Sequence, residues 1–230
     1  MQIPPDLINP NIVILFKKGD RSTCGNYRGI SLLSCVGKIY ADIVLQRIQK
    51  LINNLYPDSQ HGYRDGRSTI DGIFTVRQLM EKSREHCRDL YIVFIDFTKA
   101  FDRVNRPLLF KILAKIGCPP KLLQTIQLLY SGVKARLVID GELSNPFRYD
   151  CGVKQGCKLA PSLYGLYAAM TLWIAFKDRN EHSVYIRFRT DGNLFDLKRL
   201  KAKIKTFYLY IREAQYADDI AMFSDTSDGL

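Results

Sequence analysis

Three aspartates stand where metal-dependent chemistry could take place. Asp96 closes five consecutive apolar residues, Tyr91 to Ile95, and a carboxylate there is costly unless something compensates its charge. Asp218 and Asp219 are adjacent, so their carboxylates repel each other, and a bound cation relieves that repulsion. Mg²⁺ binds carboxylates together with substrate phosphates, and two such ions can hold the attacking and leaving oxygens of a phosphoryl transfer. Each acid taken singly is explained more simply as a strand end or a turn residue.

Basic residues in two Gly-containing loops could bind phosphate groups. Lys17, Lys18 and Arg28 flank the first loop, and Arg64 and Arg67 lie in the second. Cations beside loop N–H groups suit a triphosphate. Without other observations, a solvated loop face is the default explanation for both sets.

The elements that must position these residues alternate between strand-like and helix-like patterns, which is typical of a mixed α/β or α+β domain. Tyr91 to Ile95 predicts a strand buried on both faces, and Asp140-Gly141 predicts the primed turn of a hairpin. Further strands are predicted at Ile12–Phe16, at Ala135–Ile139 and on both sides of an acidic turn within Tyr216–Phe223. Helices are predicted at about 37–55, 69–86, 105–117, 121–130 and 159–176.

The charge of the chain is strongly basic. Lys and Arg total 34 against 23 acidic residues among 230, which gives a net charge of +11. Twelve basic and five acidic residues lie between Lys154 and Glu213, so most of the surplus is concentrated there. A polyanionic partner, nucleic acid before membrane, and a merely basic soluble protein explain this balance about equally well. The basic run from Lys198 to Lys205 is interpreted as a solvated helix face rather than a nucleic-acid channel.

Cysteine and hydrophobic patterns favour an intracellular protein. The six cysteines form no Cys-x-x-Cys pair, and the first residues show no signal-peptide pattern. We therefore expect reduced cysteines and a nuclear or cytoplasmic protein that is not secreted. The most apolar stretch, Leu159 to Phe176, contains Pro161 and Gly165 and is interpreted as a buried core helix rather than a membrane span.

Five segments with distinctive residue patterns follow one another along the chain. They are Phe16–Asp20 with Asn26–Leu33, then Gln60–Thr69, Tyr91–Asp102, Gly152–Ser162 and Tyr216-Ala-Asp-Asp219. In this order they resemble the two fingers motifs and motifs A, B and C of reverse transcriptases, in the forms found in non-LTR (LINE-like, jockey/CR1-type) retrotransposons. The resemblance runs from about Asn11 to Phe223. Any one motif is a weak signal, and five in order make a strong one.

The resemblance implies an α+β fold with the fingers and palm of a right-hand polymerase. About 1–90 would be mainly fingers and about 91–230 mainly palm, with the thumb absent. The chain stops eleven residues after Asp219, before the family's next palm motif, the primer grip and the thumb. We therefore expect a partial reverse transcriptase domain whose activity on its own is impaired.

The resemblance also implies a reaction. In the family, aspartates at the positions of Asp96 and Asp218 bind two Mg²⁺ ions, with Asp219 beside them, and Mn²⁺ is a possible substitute. The primer 3′-hydroxyl attacks the α-phosphate of an incoming dNTP while the enzyme copies an RNA template. The implied partners are thus an RNA template, a DNA primer and dNTPs, without a membrane.

Further site residues are implied by the same match. Phe101 matches a steric gate against the ribose 2′-OH, although without the resemblance a core phenylalanine would be favoured. The other matched positions are nucleotide-binding at Lys17, Arg28, Gln155 and Gly156, and contacts to template or other nucleic acid at Arg64, Arg67 and Lys154. Asp102 is interpreted as a structural residue that caps the following helix or pairs with a basic side chain.

Two residues depart from the common form of motif B. Lys154 stands in place of a proline and Cys157 in place of a serine. Lysine also occurs at that place in related elements and is not counted as a lesion. Because of the expected truncation and the concentrated basic charge, three hypotheses remain open. They are an RNA-directed DNA polymerase core, a non-catalytic nucleic-acid-binding remnant of a retrotransposon polymerase, and an inert, poorly folding relic.

Overall fold

The computed structural model describes residues 3–176, 183–189 and 206–229, which contain six helices and ten strands. This mixture confirms the predicted α+β class. The helices are Pro5–Ile8 (α1), Cys35–Asn53 (α2), Thr69–Glu85 (α3), Arg106–Lys115 (α4), Pro120–Tyr130 (α5) and Leu159–Phe176 (α6). The strands are Asn11–Phe16 (β1), Tyr27–Leu32 (β2), Tyr91–Asp96 (β3), Lys134–Ile139 (β4), Glu142–Leu143 (β5), Phe147–Arg148 (β6), Val184–Arg189 (β7), Thr206–Ile211 (β8), Glu213–Tyr216 (β9) and Asp219–Ser224 (β10). The basic run 198–205 lies outside the described residues.

The start of α4 is set by a side-chain cap. Asn105 Oδ1 accepts a hydrogen bond from Leu108 N at 2.9 Å, and Pro107 follows in the first turn. This satisfies one of the free N–H groups at the helix end and confirms the predicted start. The expectation that Asp102 caps this helix is wrong, because Asn105 occupies the capping position.

The chain divides into two compact units that are interleaved in sequence. Unit 1 contains Met1–Pro57 and Thr98–Met170, and unit 2 contains Asp58–Phe97 and Thr171–Leu230. The division into fingers and palm at about residue 90 stays a prediction.

Unit 1 combines a mixed sheet with helices. The strands follow the order β2-β1-β4-β5, with β1 antiparallel to β2 and parallel to β4, while β6 also pairs with β4. Asp140 and Gly141 both have positive φ between β4 and β5, which confirms the primed hairpin turn. The core is formed by buried aliphatic residues of the helices, namely Val44, Ile48, Ile52, Leu109, Leu113, Ile126, Leu129, Leu159, Leu163 and Leu166.

Unit 2 is built around an antiparallel sheet of order β3-β10-β9. Leu79 of α3 and Phe223 of β10 are the largest members of its buried cluster, against which Ile92 of β3 packs. The strands β7 and β8 form a separate antiparallel pair. Burial of these apolar side chains stabilises the sheet that presents the acidic residues.

The prediction that β3 is buried on both faces is wrong. Ile92 and Ile95 are partly buried, but Val93 is exposed and Phe94 is 75% exposed. The reason is that β3 forms an edge of the sheet within the described residues, so only part of it is covered. Asp96 is correspondingly exposed, and burial of its strand gives no reason for a compensating cation.

The helix α6 is buried along its first half. Its residues from Leu159 to Ala169 are mostly buried, as predicted for a core helix, whereas Trp173 and Ile174 are exposed. Among the described residues, α6 is the one helix long and apolar enough to cross a membrane, and half of it is buried inside the fold. The core helices of soluble proteins meet the same criteria.

Candidate active site

The three aspartates of the sequence analysis lie together in unit 2. Tyr216 pairs with Asp219 across the β9–β10 hairpin, so Ala217 and Asp218 form a two-residue loop. Asp219 also lies directly opposite Asp96 on the antiparallel strand β3. Opposite residues of such a pair share one face of the sheet, with Cβ atoms about 4.5–5.5 Å apart. The hairpin therefore places two carboxylates side by side and a third in the adjoining loop.

The proximity of these acids affects their ionisation. Partial burial, together with the negative charges of Asp218 and Asp96, raises the pKa of Asp219 above its ordinary value. Each of these effects disfavours the ionised carboxylate, and a bound cation would offset them.

The donor set fits a hard divalent cation that shares its ligands with a substrate. Among the described residues, no group of three or more His, Cys, Asp or Glu side chains is placed to hold a metal ion by itself. Mg²⁺ commonly takes only one or two carboxylates and completes its shell with water and substrate phosphates. The aspartate arrangement meets this requirement.

Two predicted phosphate-binding cations lie in unit 1 near Asp102. Lys17 follows β1 and Arg28 lies on the neighbouring strand β2, and both are exposed. The pKa of the Asp102 carboxyl is raised, because desolvation by the surrounding protein outweighs the opposite effect of the positive charges of Lys99, Lys17 and Arg28. The fold thus brings Lys17 and Arg28 into electrostatic contact with the end of motif A.

Phe101 is held between two parts of unit 1. Its ring stacks on Tyr164 of α6 with centroids 4.9 Å apart, and its carbonyl accepts a hydrogen bond from Val153 N at 2.8 Å. The residue is half-buried. Its ring is therefore partly a packing residue and partly accessible.

Gln155 and Gly156 contact β2 through their backbone. Ser31 N donates to Gln155 O at 2.7 Å. Gly156 has φ +119°, and a Cβ at this position would lie 2.4 Å from Ser31 O. Glycine is required here by the conformation and by close approach to a strand, a reason that differs from the predicted approach to a nucleotide.

Lys154 does not fit the predicted contact with nucleic acid. The residue is 2% exposed, and its Nζ donates to Ile8 O at 2.6 Å and to Leu129 O at 2.8 Å. Desolvation lowers its pKa from 10.5 to about 8. The ammonium is committed to two backbone carbonyls inside unit 1 and cannot reach a phosphate from this position.

Arg64 and Arg67 lie close together in unit 2. Their guanidinium groups approach Asp58 at 3.7 and 3.5 Å, and the Asp58 side chain is 91% exposed. The Arg64 and Arg67 side chains are only 20% and 35% exposed, and ion pairs with such an exposed acid are weak. The role of both arginines in holding template stays a prediction.

Comparison with known proteins decides the family. The profile of the family described as "Reverse transcriptase (RNA-dependent DNA polymerase)" matches residues 16–230. The chain belongs to the reverse transcriptase family.

Relatives of this reverse transcriptase segment are encoded by mobile elements. A protein of 149 kDa from transposon TX1 of Xenopus laevis is 31% identical over 153 residues, or 66% of this chain. The RNA-directed DNA polymerase from mobile element jockey of Drosophila funebris is 31% identical over 163 residues, or 69% of this chain. These matches confirm the resemblance to non-LTR retrotransposons. The alignments span 12% and 18% of the two relatives.

Solved structures show the same fold. Apo telomerase from Candida tropicalis, truncated from its C-terminal domain, superposes with a TM-score of 0.62 at 15% identity, over 100% of this chain and 46% of that one. Telomerase of the same species in complex with a fragment of telomeric RNA gives 0.64 at 14% identity, over 99% of this chain and 38% of that one. At this identity the likeness concerns the fold, and it agrees with the expected reverse transcriptase architecture.

The reverse transcriptase segment contains one buried cation that sequence reasoning missed. Arg106 is 6% exposed and donates four hydrogen bonds of 2.7–3.0 Å to backbone carbonyls. The acceptors are the carbonyl groups of Tyr130, Tyr149, Cys151 and Gly152. Arg106 thereby fixes the loop that leads into motif B. No sequence signal marks this role, because the acceptors are backbone atoms 24–46 positions away.

Proposed function

We propose that this chain carries out nucleotidyl transfer by RNA-directed DNA polymerisation, with divalent cations held by Asp96, Asp218 and Asp219. The observation that carries the proposal is the placement of Asp219 opposite Asp96, with Asp218 in the adjoining loop, in a member of the reverse transcriptase family. Reverse transcriptases generally use divalent metal ions. Mg²⁺ is the expected ion, with two ions per site and Mn²⁺ as a substitute.

The aspartates would act by charge and position rather than by covalent chemistry. Bound Mg²⁺ would neutralise developing negative charge and hold the attacking and leaving oxygens. The raised pKa of Asp219 supports this role, because a cluster that repels itself without metal gains most from a cation. The rigid antiparallel pairing of β3 and β10 keeps the carboxylates in place before the cation arrives.

Residues of unit 1 would bind and select the nucleotide. Lys17 and Arg28 are exposed cations suited to triphosphate oxygens. The half-buried ring of Phe101 is held on Tyr164, which would let it act as a steric gate against a ribose 2′-OH. Gln155 would approach the nucleotide from the loop that contacts β2. The substrates in this proposal are a dNTP, a DNA primer and an RNA template.

Primer extension tests the proposal. The assay supplies an RNA template, a DNA primer, dNTPs and Mg²⁺ to the chain and to Asp218→Asn, with Asp65→Asn as a control that removes an exposed acid elsewhere in unit 2. Low but measurable extension, equal in the parent and Asp65→Asn and absent in Asp218→Asn, is expected. Equal extension by the parent and Asp218→Asn would refute the metal assignment.

A second candidate function is nucleic-acid binding without catalysis. It is favoured by the net charge of +11 and by the exposed cations Lys17 and Arg28. It predicts RNA binding that weakens steeply with salt and shows little sequence preference. No extension by the parent, together with salt-sensitive RNA binding, would favour this candidate. Binding that ignores ionic strength would count against it.

A further inference from the structure

A short segment before α3 borders the acidic hairpin on its second edge. This docking segment is Ser59–Gly62. Gln215 N donates to Ser59 O at 2.8 Å, and His61 N donates to Gln215 O at 2.8 Å, as in a short parallel strand pair between Gln60 and Gln215. The other edge of β9 pairs with β10. The strand that leads into the acidic loop is therefore held on both sides.

Gly62 touches the backbone of the acidic loop itself. A Cβ at this position would lie 2.2 Å from Ala217 N and 2.9 Å from Ala217 Cα. The φ of Gly62 lies outside the left-handed region, so the contact alone demands glycine. Because the opposing atoms belong to the backbone, an added methyl group can be accommodated only if the loop or the docking segment moves.

Gln60 ties the two segments together inside the protein. Gln60 is 0% exposed and Gln215 is 1% exposed. Gln60 Nε2 donates to Gln215 Oε1 at 3.1 Å, while Gln60 Oε1 accepts from Gly62 N at 2.7 Å. An amide side chain is needed for this, since it donates and accepts at once. Within the described part of the chain, Gln215 Nε2 has no partner, so Gln60 supplies the side-chain bond that holds Gln215.

We propose that Gln60 and Gly62 are positioning residues for the metal site. Ala217, against which Gly62 packs, directly precedes Asp218, and the loop they form closes the pair that includes Asp219. A functional site requires its ligands within about 0.5 Å of the productive geometry. The docking segment fixes the position of this loop relative to the sheet, and hence the position of the Asp218 carboxylate. This inference rests on the proposed metal-binding function.

Metal binding by Gly62→Ala tests the role of the contact. The matched control is Gly72→Ala, in α3 of the same unit, where a Cβ would lie 3.6 Å from His61 Cδ2, an ordinary contact. Mn²⁺ affinity is measured by calorimetry and folding by the cooperative thermal transition. Gly62→Ala is expected to keep the transition and bind Mn²⁺ at least tenfold more weakly, whereas Gly72→Ala binds as the parent does. In primer extension, the Mg²⁺ concentration for half-maximal rate should rise while the KM for dNTP stays unchanged.

Gln60→Leu provides a second, independent variant, with Gln78→Leu on α3 as its control. It is expected to weaken Mn²⁺ binding in the same way, because Gly62 N and Gln215 Oε1 lose their partner. Mn²⁺ binding at parental strength by both Gly62→Ala and Gln60→Leu would overturn the positioning proposal. Loss of the cooperative transition in both would overturn it as well, since the segment would then hold the fold rather than the site. Failure of the proposed function looks different, because Asp218→Asn would then bind Mn²⁺ as tightly as the parent.

Discussion

Replacing Asp219 by asparagine should stabilise the metal-free protein. The substitution removes one of two like charges placed opposite each other on β3 and β10, and it also relieves the repulsion from Asp218 that raises the pKa of Asp219. A cross-strand pair of charges contributes about 0.2–1 kcal/mol, unfavourably when the charges are alike. Solvent screening at this exposed site limits the combined repulsion of Asp219 by Asp96 and Asp218 to about 1 kcal/mol. For a chain of this length, an increase of that size in the free energy of unfolding corresponds to a rise in Tm of about 2–4 °C.

Differential scanning calorimetry in chelator at low ionic strength measures this effect. Asp65→Asn is the control, because it removes an exposed acid elsewhere in unit 2 and changes the net charge equally. The Tm difference between Asp219→Asn and Asp65→Asn should vanish in 1 M salt, because the electrostatic screening length of about 3 Å is then shorter than the distance between the carboxylates. In saturating Mg²⁺ the parent should have a higher Tm than Asp219→Asn, because metal at 100 times its Kd stabilises the parent by about 2.7 kcal/mol. A Tm for Asp219→Asn equal to or below that of Asp65→Asn in chelator at low salt would refute the repulsion argument.

Three further predictions concern unit 1. Arg106→Ala should lower the free energy of unfolding by about 3 kcal/mol or more, because two buried and two partly buried hydrogen bonds to carbonyls are lost, whereas Arg103→Ala should change it by less than about 0.5 kcal/mol, both measured by urea denaturation. Burial lowers the pKa of Lys154 from 10.5 to about 8, so between these pH values the unfolded chain binds more protons than the folded chain. As the pH rises from 8 to 10.5, the free energy of unfolding of the parent should therefore increase by up to about 3 kcal/mol relative to that of Lys154→Met. A difference that does not change with pH would contradict this reasoning. Phe101→Val should increase incorporation of rNTP relative to dNTP by about tenfold in primer extension, and an unchanged ratio would remove the gate assignment.

Local sequence signals predicted the elements because their causes are local. Asn105 ahead of Pro107 marks a helix start through its own side chain, and Asp140-Gly141 marks a turn that needs two positive φ values. The resemblance of motifs A and C to those of reverse transcriptases likewise implied that the acidic residues meet, and the pairing of β10 with β3 brings them together. The helix start and the turn depend on a few residues near one another in sequence, whereas the meeting of the acidic residues was implied by the family match.

Features set by tertiary context were not accessible in the same way. The apolar composition of β3 predicts burial, but an edge position exposes Phe94, and strand order is not encoded in five residues. The charge of Lys154 predicts solvent or phosphate, yet its ammonium ends on two carbonyls from distant parts of the chain. The family match implies that Gly156 approaches a nucleotide, but the neighbour that excludes a side chain at this position is Ser31. Residue type predicts what a side chain can do, whereas its partner depends on the fold.

Net charge is for this reason a poor guide to the phosphate-binding surface of this chain. Arg106 and Lys154 contribute to the +11 of the chain, but both are buried on backbone carbonyls and add nothing to a phosphate-binding face. Lys17 and Arg28 are exposed and act on the same carboxyl, Asp102. The Asp102 carboxylate attracts both cations in the absence of a substrate, and a bound triphosphate would interact with both cations instead. The arrangement of the exposed cations, rather than their number, therefore supports the proposal that this part of unit 1 binds a nucleotide.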